Sequence, residues 1–191
     1  LRSQFISDDE IRTKMEKDIQ FMDAMVKNNL QYLKYESEQS HYTIIDLDSV
    51  IQTVSDEFVD LGYSVTYHGG NHEKIIGSIT EMLRVFTNLI DNATQYASHI
   101  NIYLAQAPND IIQIDIIDDG PGIAQELKPI IFEPFVRGES GRTMNTDKGF
   151  GLGLSIVREL LKSHQGEIEF INIDPKGLIA RVTLPMATHK S

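Results

Sequence analysis

Two runs of mostly apolar residues, Ile100 to Ala107 and Ile111 to Ile117, flank the turn residues Pro108-Asn109-Asp110. That arrangement reads as a β-hairpin. Short strand-like runs at Tyr63 to Tyr67 and Lys74 to Ile76 precede it, and further strands are predicted at Glu167 to Ile173 and Leu178 to Leu184, joined by the turn Asp174-Pro175-Lys176-Gly177. Helices are predicted from Asp48 as the cap through Val50, Val54, Phe58 and Leu61, from Ile79 to Ala97, and from Gly153 to His164. Strands and helices mix without strict alternation, so the expected class is α+β, a two-layer sandwich with helices on one face of a mixed sheet.

Ahead of this region, Ser7-Asp8-Asp9-Glu10 has the spacing of a capping box, and Ile11, Met15, Ile19, Met22, Val26, Leu30 and Leu33 recur at steps of three and four. A long amphipathic helix ending near Glu36 is predicted, packing on the segment Leu1 to Ile6 and on a second copy of the chain. Docking on its own globular domain is the alternative. The chain starts at Leu1 rather than Met, so Leu1 to Ile6 reads as the end of an element begun upstream, and the chain as a piece of a longer one. A net charge of −11 opposes binding to nucleic acid or anionic lipid across the whole surface, and the absence of cysteine excludes disulfides and thiolate chemistry. No apolar run approaches the roughly 20 residues that cross a bilayer.

Three segments carry chemistry. In the helix from Ile79, Asn88 and Asn92 are poor helix formers one turn apart, on a polar rim with Glu81, Arg84 and Gln95, beside an apolar stripe of Met82, Phe86, Leu89, Ala93 and Tyr96. An asparagine oxygen suits Mg²⁺ and its amide suits phosphate, although asparagines facing water or capping loops would look the same. Next, Asp118-Asp119-Gly120-Pro121-Gly122-Ile123 closes a strand with glycines that let a flat ring approach and a carboxylate that can accept from an exocyclic amine such as that of adenine; a plain tight turn is the alternative. Finally, Lys148-Gly149-Phe150-Gly151-Leu152-Gly153-Leu154 runs into a helix whose N-terminal amides and dipole attract phosphate, unless it is only a hinge. It matches neither the P-loop nor the Rossmann pattern. Between the last two, Phe132 and Phe135 are expected to anchor a loop from which Arg137, Arg142 and Lys148 can reach phosphates.

In order and spacing, Asn88 to Ala93, Asp118 to Ile123, Phe132 to Phe135 and Gly149 to Leu154 resemble the N, G1, F and G2 boxes of sensor histidine kinases. The lid sequence Phe135 to Thr143 is similar to the osmosensor subgroup typified by EnvZ. The resemblance implies a Bergerat-type ATP-binding domain over residues 42–187, preceded at 1–37 by a remnant of the dimerisation and phosphotransfer hairpin. It implies that Asn92 binds Mg²⁺, Asn88 contacts phosphate, Tyr96 lines the pocket, and Asp118 bonds the adenine amine with Gly120, Gly122 and Ile123 beside it. Gly149, Gly151, Leu152, Gly153 and Leu154 would hold the phosphates of ATP or ADP, under a lid in which Phe135, Arg137 and Lys148 face the nucleotide and Arg137 meets the γ-phosphate.

Gln95 departs from the resemblance, standing where many relatives place lysine or arginine. The implied activity is transfer of the γ-phosphoryl group to a histidine. None of His41, His68, His72, His99, His164 and His189 has the family's acceptor setting, so the acceptor is expected upstream of Leu1. The implied partners are a response-regulator receiver domain and a second copy through the hairpin. Nucleic acid is not expected, and a membrane only through segments outside this chain, the chain being the cytoplasmic portion of an inner-membrane sensor. An ATPase of the wider superfamily, or a nucleotide-binding interaction module without kinase activity, are the rival expectations.

Overall fold

The computed structural model describes residues 42–134, 136 and 151–187, all within one compact unit. The long amphipathic helix and the hairpin remnant expected at 1–37 lie outside the described residues, as do Phe135, Arg137, Arg142, Lys148 and Gly149.

Chain order is β1 (Thr43–Asp46), α1 (Leu47–Asp60), β2 (Ser64–His68), β3 (Lys74–Gly77), α2 (Ile79–Thr94), β4 (His99–Ala107), β5 (Ile111–Asp118), α3 (Gly153–Ser163), β6 (Glu167–Asn172) and β7 (Leu178–Pro185). Five strands form a mixed sheet in the order β2-β4-β5-β7-β6, in which only the β2–β4 pair is parallel, and β1 pairs with β3 in a separate antiparallel ribbon. The expected α+β class with helices on one sheet face is what forms. Alternation along β5 shows why: Ile112, Ile114 and Ile116 are buried beneath the helices, and so are Ile100, Ile102 and Leu104 of β4 and Ala180, Val182 and Leu184 of β7. Against that face pack Val50, Ile51, Val54 and Phe58 of α1, Met82, Phe86, Leu89, Ile90 and Ala93 of α2, and Val157 and Leu161 of α3. Each fully buried aliphatic or aromatic side chain there contributes about 1.5–3 kcal/mol by leaving water.

Three expectations are corrected. Asp46, not Asp48, caps α1, its side chain accepting from the amide of Ser49 at 3.3 Å. Asp48 is buried inside the first turn, where its carboxylate accepts from the Tyr67 hydroxyl and from the amides of Gly70 and Glu73, tying the β2–β3 connection to the helix. Burial, reinforced by that bond to Asp48, pushes the Tyr67 phenol well above its usual range. Leu61 is 67% exposed, because α1 ends one residue earlier and turns away from the core. Tyr96 is likewise 40% exposed rather than part of the buried stripe of α2, which stops at Thr94. The strand β1 was absent from the sequence expectations; its four residues are held by pairing with β3, whose partners lie 28 to 34 positions away.

Candidate functional site

The helix α2 is a rail along which the sequence-predicted residues are set out. It starts at Ser78, whose side chain accepts from the amide of Glu81 at 3.4 Å, and its apolar residues Met82, Phe86, Leu89 and Ala93 are committed to the core. The other rim, with Arg84, Asn88, Asn92 and Gln95, is half-buried. Asn88 donates from Nδ2 to the carbonyl of Arg84 at 2.8 Å, which turns its Oδ1 toward the start of α3. A Cβ built on Gly153 would sit 2.9 Å from that oxygen, so glycine is what lets α3 begin directly against Asn88. At the far end of the rail, a Cβ on Gly120 would lie 3.3 Å from the carbonyl of Tyr96 and 2.7 Å from Oδ1 of Asp118. From Asn88 to the helix end at Thr94 the rail rises about 9 Å, with Tyr96 in the turn just beyond. Asn92 lies midway and makes no side-chain hydrogen bond to a described residue. Gln95 donates to Asp91 at 3.3 Å, one turn back along its own helix.

Asp118 is the last residue of β5 and is 8% exposed. Burial pushes its carboxyl up from the ordinary carboxylate range; the amide of Gly120, which donates to Oδ1 at 2.8 Å, pulls the other way, Asp119 adds to the rise and Lys176 opposes it. A desolvated carboxylate with a single nearby amide is a strong acceptor for an incoming donor. Asp119, next along, has a different task. Its Oδ1 accepts from the amides of Ser98 and His99 at 2.7 and 3.1 Å, and its Oδ2 lies 3.0 Å from Nδ1 of His99. Those bonds, the His99 side chain foremost, hold its carboxyl far below the usual range and fix the turn between α2 and β4.

Gly122, with φ of 77°, and Ile123 complete the segment. The phosphate-cradle prediction falls on the start of α3, where Gly151 has φ of 71° and Leu152 occupies the cap position without any side-chain cap bond. Leu152 thus offers the first amides of α3 no side-chain acceptor, and an uncapped helix N-terminus attracts an anion. Leu154 packs against the core. Phe132 does anchor its loop: its ring meets Phe170 of β6 at 5.6 Å, and the Arg158 guanidinium sits 5.3 Å above it. Two surface grooves, of about 250 and 450 Å³, the larger lined in part by Arg158, contain none of the sequence-predicted site residues and no convergence of glycine backbone with a buried carboxylate.

Three contributors escaped the sequence reading. Asn172 at the end of β6 bonds the backbone of Ile123 through both ends of its amide. Gly177 was read as a turn residue only, yet it passes directly beneath Asp118. His164 closes α3, its buried Nε2 accepting from the amide of Ser78 at 3.2 Å and its Nδ1 lying 2.8 Å from the carbonyl of Leu160, which fastens the start of α2 to the end of α3. Only contacts across the fold reveal these roles, since single Asn, Gly and His residues carry no local pattern.

Residues 77–188 match the family described as histidine kinase-, DNA gyrase B-, and HSP90-like ATPase. Among curated relatives, the sensor histidine kinase GtrS of Pseudomonas aeruginosa is 28% identical over 185 residues, 97% of this chain but 38% of GtrS, so the chain spans well under half the length of that relative. Among solved structures, the mycobacterial sensor histidine kinase MprB is 26% identical with a TM-score of 0.66, covering 75% of this chain and 98% of that one. The histidine kinase domain of the E. coli osmosensor EnvZ is 28% identical with a TM-score of 0.59, covering 81% and 95% respectively.

Proposed function

Since the chain belongs to the histidine kinase-, DNA gyrase B- and HSP90-like ATPase family, as the ATPase domain of a two-component sensor histidine kinase, we propose that it binds ATP with Mg²⁺ along α2 and donates the γ-phosphoryl group to a histidine. The observation that carries this reading is the rail itself. A buried carboxylate and a glycine pair stand at one end, uncapped helix amides at the other, and an uncommitted amide lies between them.

The adenine amine would donate to Asp118, with Gly120, Gly122 and Ile123 beside the ring and Tyr96 at its edge. Glycine at 120 and 122 keeps side chains from filling the space that a flat base needs. The phosphates would lie on Gly151, Leu152, Gly153 and Leu154, with Asn88 alongside and with Gly149, Phe135, Arg137 and Lys148 contributed by the segment outside the described residues. Among the described residues no group of three or more His, Asp or Glu could cage a metal ion. The donor set suits Mg²⁺ nonetheless, because that ion is commonly held by one or two protein oxygens together with phosphates and water, and Asn92 offers one hard neutral oxygen. Bound there, the ion would neutralise phosphate charge. The chain's own part in the reaction is positioning: α2 and the α3 N-terminus would hold the triphosphate extended while a histidine nitrogen attacks the γ-phosphorus and ADP leaves. In the cell, a receiver domain would then take the phosphoryl group from that histidine, and pairing of two copies through a helical hairpin would bring the acceptor to the site.

The test is to mix this chain with radiolabelled ATP, Mg²⁺ and a separately made hairpin carrying the acceptor histidine. Label is expected on the hairpin and not on the chain alone. An Asn92→Ala variant should lose the Mg²⁺-dependent part of ATP affinity, about tenfold, with no further loss when EDTA is added. Steady ATP hydrolysis with no transfer to the hairpin would instead assign the chain to the ATP-hydrolysing branch of the family.

A further inference from the structure

On β7, Leu178 is registered with Asp118 of β5 on one side and with Asn172 of β6 on the other, so the three residues form one row across the end of the sheet. The chain leaving β5 at Asp118 must cross the end of β7 to reach Ile123. It crosses over Gly177: a Cβ there, at a φ of 131°, would lie 2.9 Å from the carbonyl oxygen of Asp118, and a Cβ on Gly122 would lie 3.4 Å from the carbonyl of Gly177. Backbone thus lies on backbone, and a fastening is needed at the far end. Asn172 supplies it. Its Oδ1 accepts from the amide of Ile123 at 2.9 Å, and its Nδ2 donates to the carbonyl of the same residue at 2.8 Å. One side-chain amide therefore does for Ile123 what a neighbouring strand would do, satisfying both backbone polar groups at once.

We propose that Asn172 is a positioning residue for nucleotide recognition, fixing the path from Asp118 to Ile123 so that the buried carboxylate and the backbone of Gly122 stand at one set distance and read the purine edge together. This inference rests on the reading of Asp118 as the acceptor for an exocyclic amine. Asn172 itself touches no nucleotide in this scheme. Without it, the segment stays tethered at Gly120, through the bond to Asp118, but Gly122 and Ile123 lose their register with the carboxylate.

The experiment measures affinities of the full chain for ATP, for GTP and for purine riboside triphosphate, which lacks the amine. Asn172→Ala is expected to weaken ATP about tenfold, the worth of one to two hydrogen bonds, while purine riboside triphosphate changes by less than about twofold and the ATP-to-GTP preference shrinks in proportion. Should Asn172→Ala fail to fold, Asn172→Asp, which keeps the acceptor for the Ile123 amide and removes the donor, reads the same ratios. Equal losses for all three nucleotides would mark a merely structural residue and overturn the proposal, as would unchanged ATP binding in a chain where Asp118→Ala still weakens it. If Asp118→Ala leaves ATP binding intact, the reading beneath the proposal fails, whatever Asn172 does.

Discussion

The two glycine-bearing segments of the site are built on opposite terms. From Asp118 to Ile123 the segment is fastened at several points from within the protein: Gly120 by Asp118, Ile123 by Asn172, Asp119 by Ser98 and His99. From Gly151 to Leu154 the helix begins with no side-chain cap. Under the proposed function, the braced segment would discriminate shape, and the start of α3 would offer its amides to an anion. Preorganisation of the first lowers the cost of ordering on binding, and exposure of the second supplies charge attraction that a capped helix would have spent internally. Under the proposed function, specificity and affinity would fall to separate ends of α2.

The largest effect should come from the braced end. Asp118→Ala is expected to weaken ATP binding about a hundredfold by titration calorimetry, because it removes a charge-assisted acceptor that burial has stripped of water. Asp118→Asn sharpens the point on stability. The native carboxyl titrates above its unfolded value, so the group favours folding below the unfolded pKa, and that contribution is lost as the pH rises through the folded one. At pH 7 the uncharged Asp118→Asn variant, which retains an acceptor for the Gly120 amide, should therefore unfold at a urea concentration no lower than the parent.

A smaller effect is expected from Gly177→Ala, which combines a positive φ with a clash against the Asp118 carbonyl and should cost about 2 kcal/mol in a denaturant titration. If it costs nothing, the crossing is not tightly packed and the contrast between the ends weakens. The smallest effect concerns Asp119. Its folded pKa is depressed, so its contribution is present above the unfolded value and lost as the pH falls below about 4 toward the folded one. Asp119→Asn should flatten the fall in the urea midpoint between neutral and acid pH; an unchanged acid profile would show that its bonds to His99 and Ser98 do not matter to folding.

Much of this was legible beforehand where the signal is local. The hairpin of β4 and β5, the amphipathic α2 and the strands β6 and β7 follow from alternation and helical spacing and fall within a few residues of their expected bounds. Asn88 and Asn92 stood out because a helix interior disfavours them, and Asp118 because a carboxylate closing an apolar strand needs a reason. Asp48 misled because a helix-start aspartate reads as a cap, whereas its burial against Tyr67, Gly70 and Glu73 depends on how β2 and β3 return to α1. The strand β1 escaped for the same reason, being stabilised by a distant partner rather than by its own composition.

What the sequence determined by itself is therefore every element but β1, the polar rim of α2 and the order of the three chemical segments, since each depends on residues adjacent in the chain. Tertiary structure alone decided that Gly153 meets Asn88, that Gly120 meets Tyr96, that Asn172 fastens Ile123 from 49 residues away, and that Gly177 lies against the Asp118 carbonyl. Those pairings depend on strand order and register, which arise from burying one sheet face under three helices and leave no mark in any short stretch of sequence.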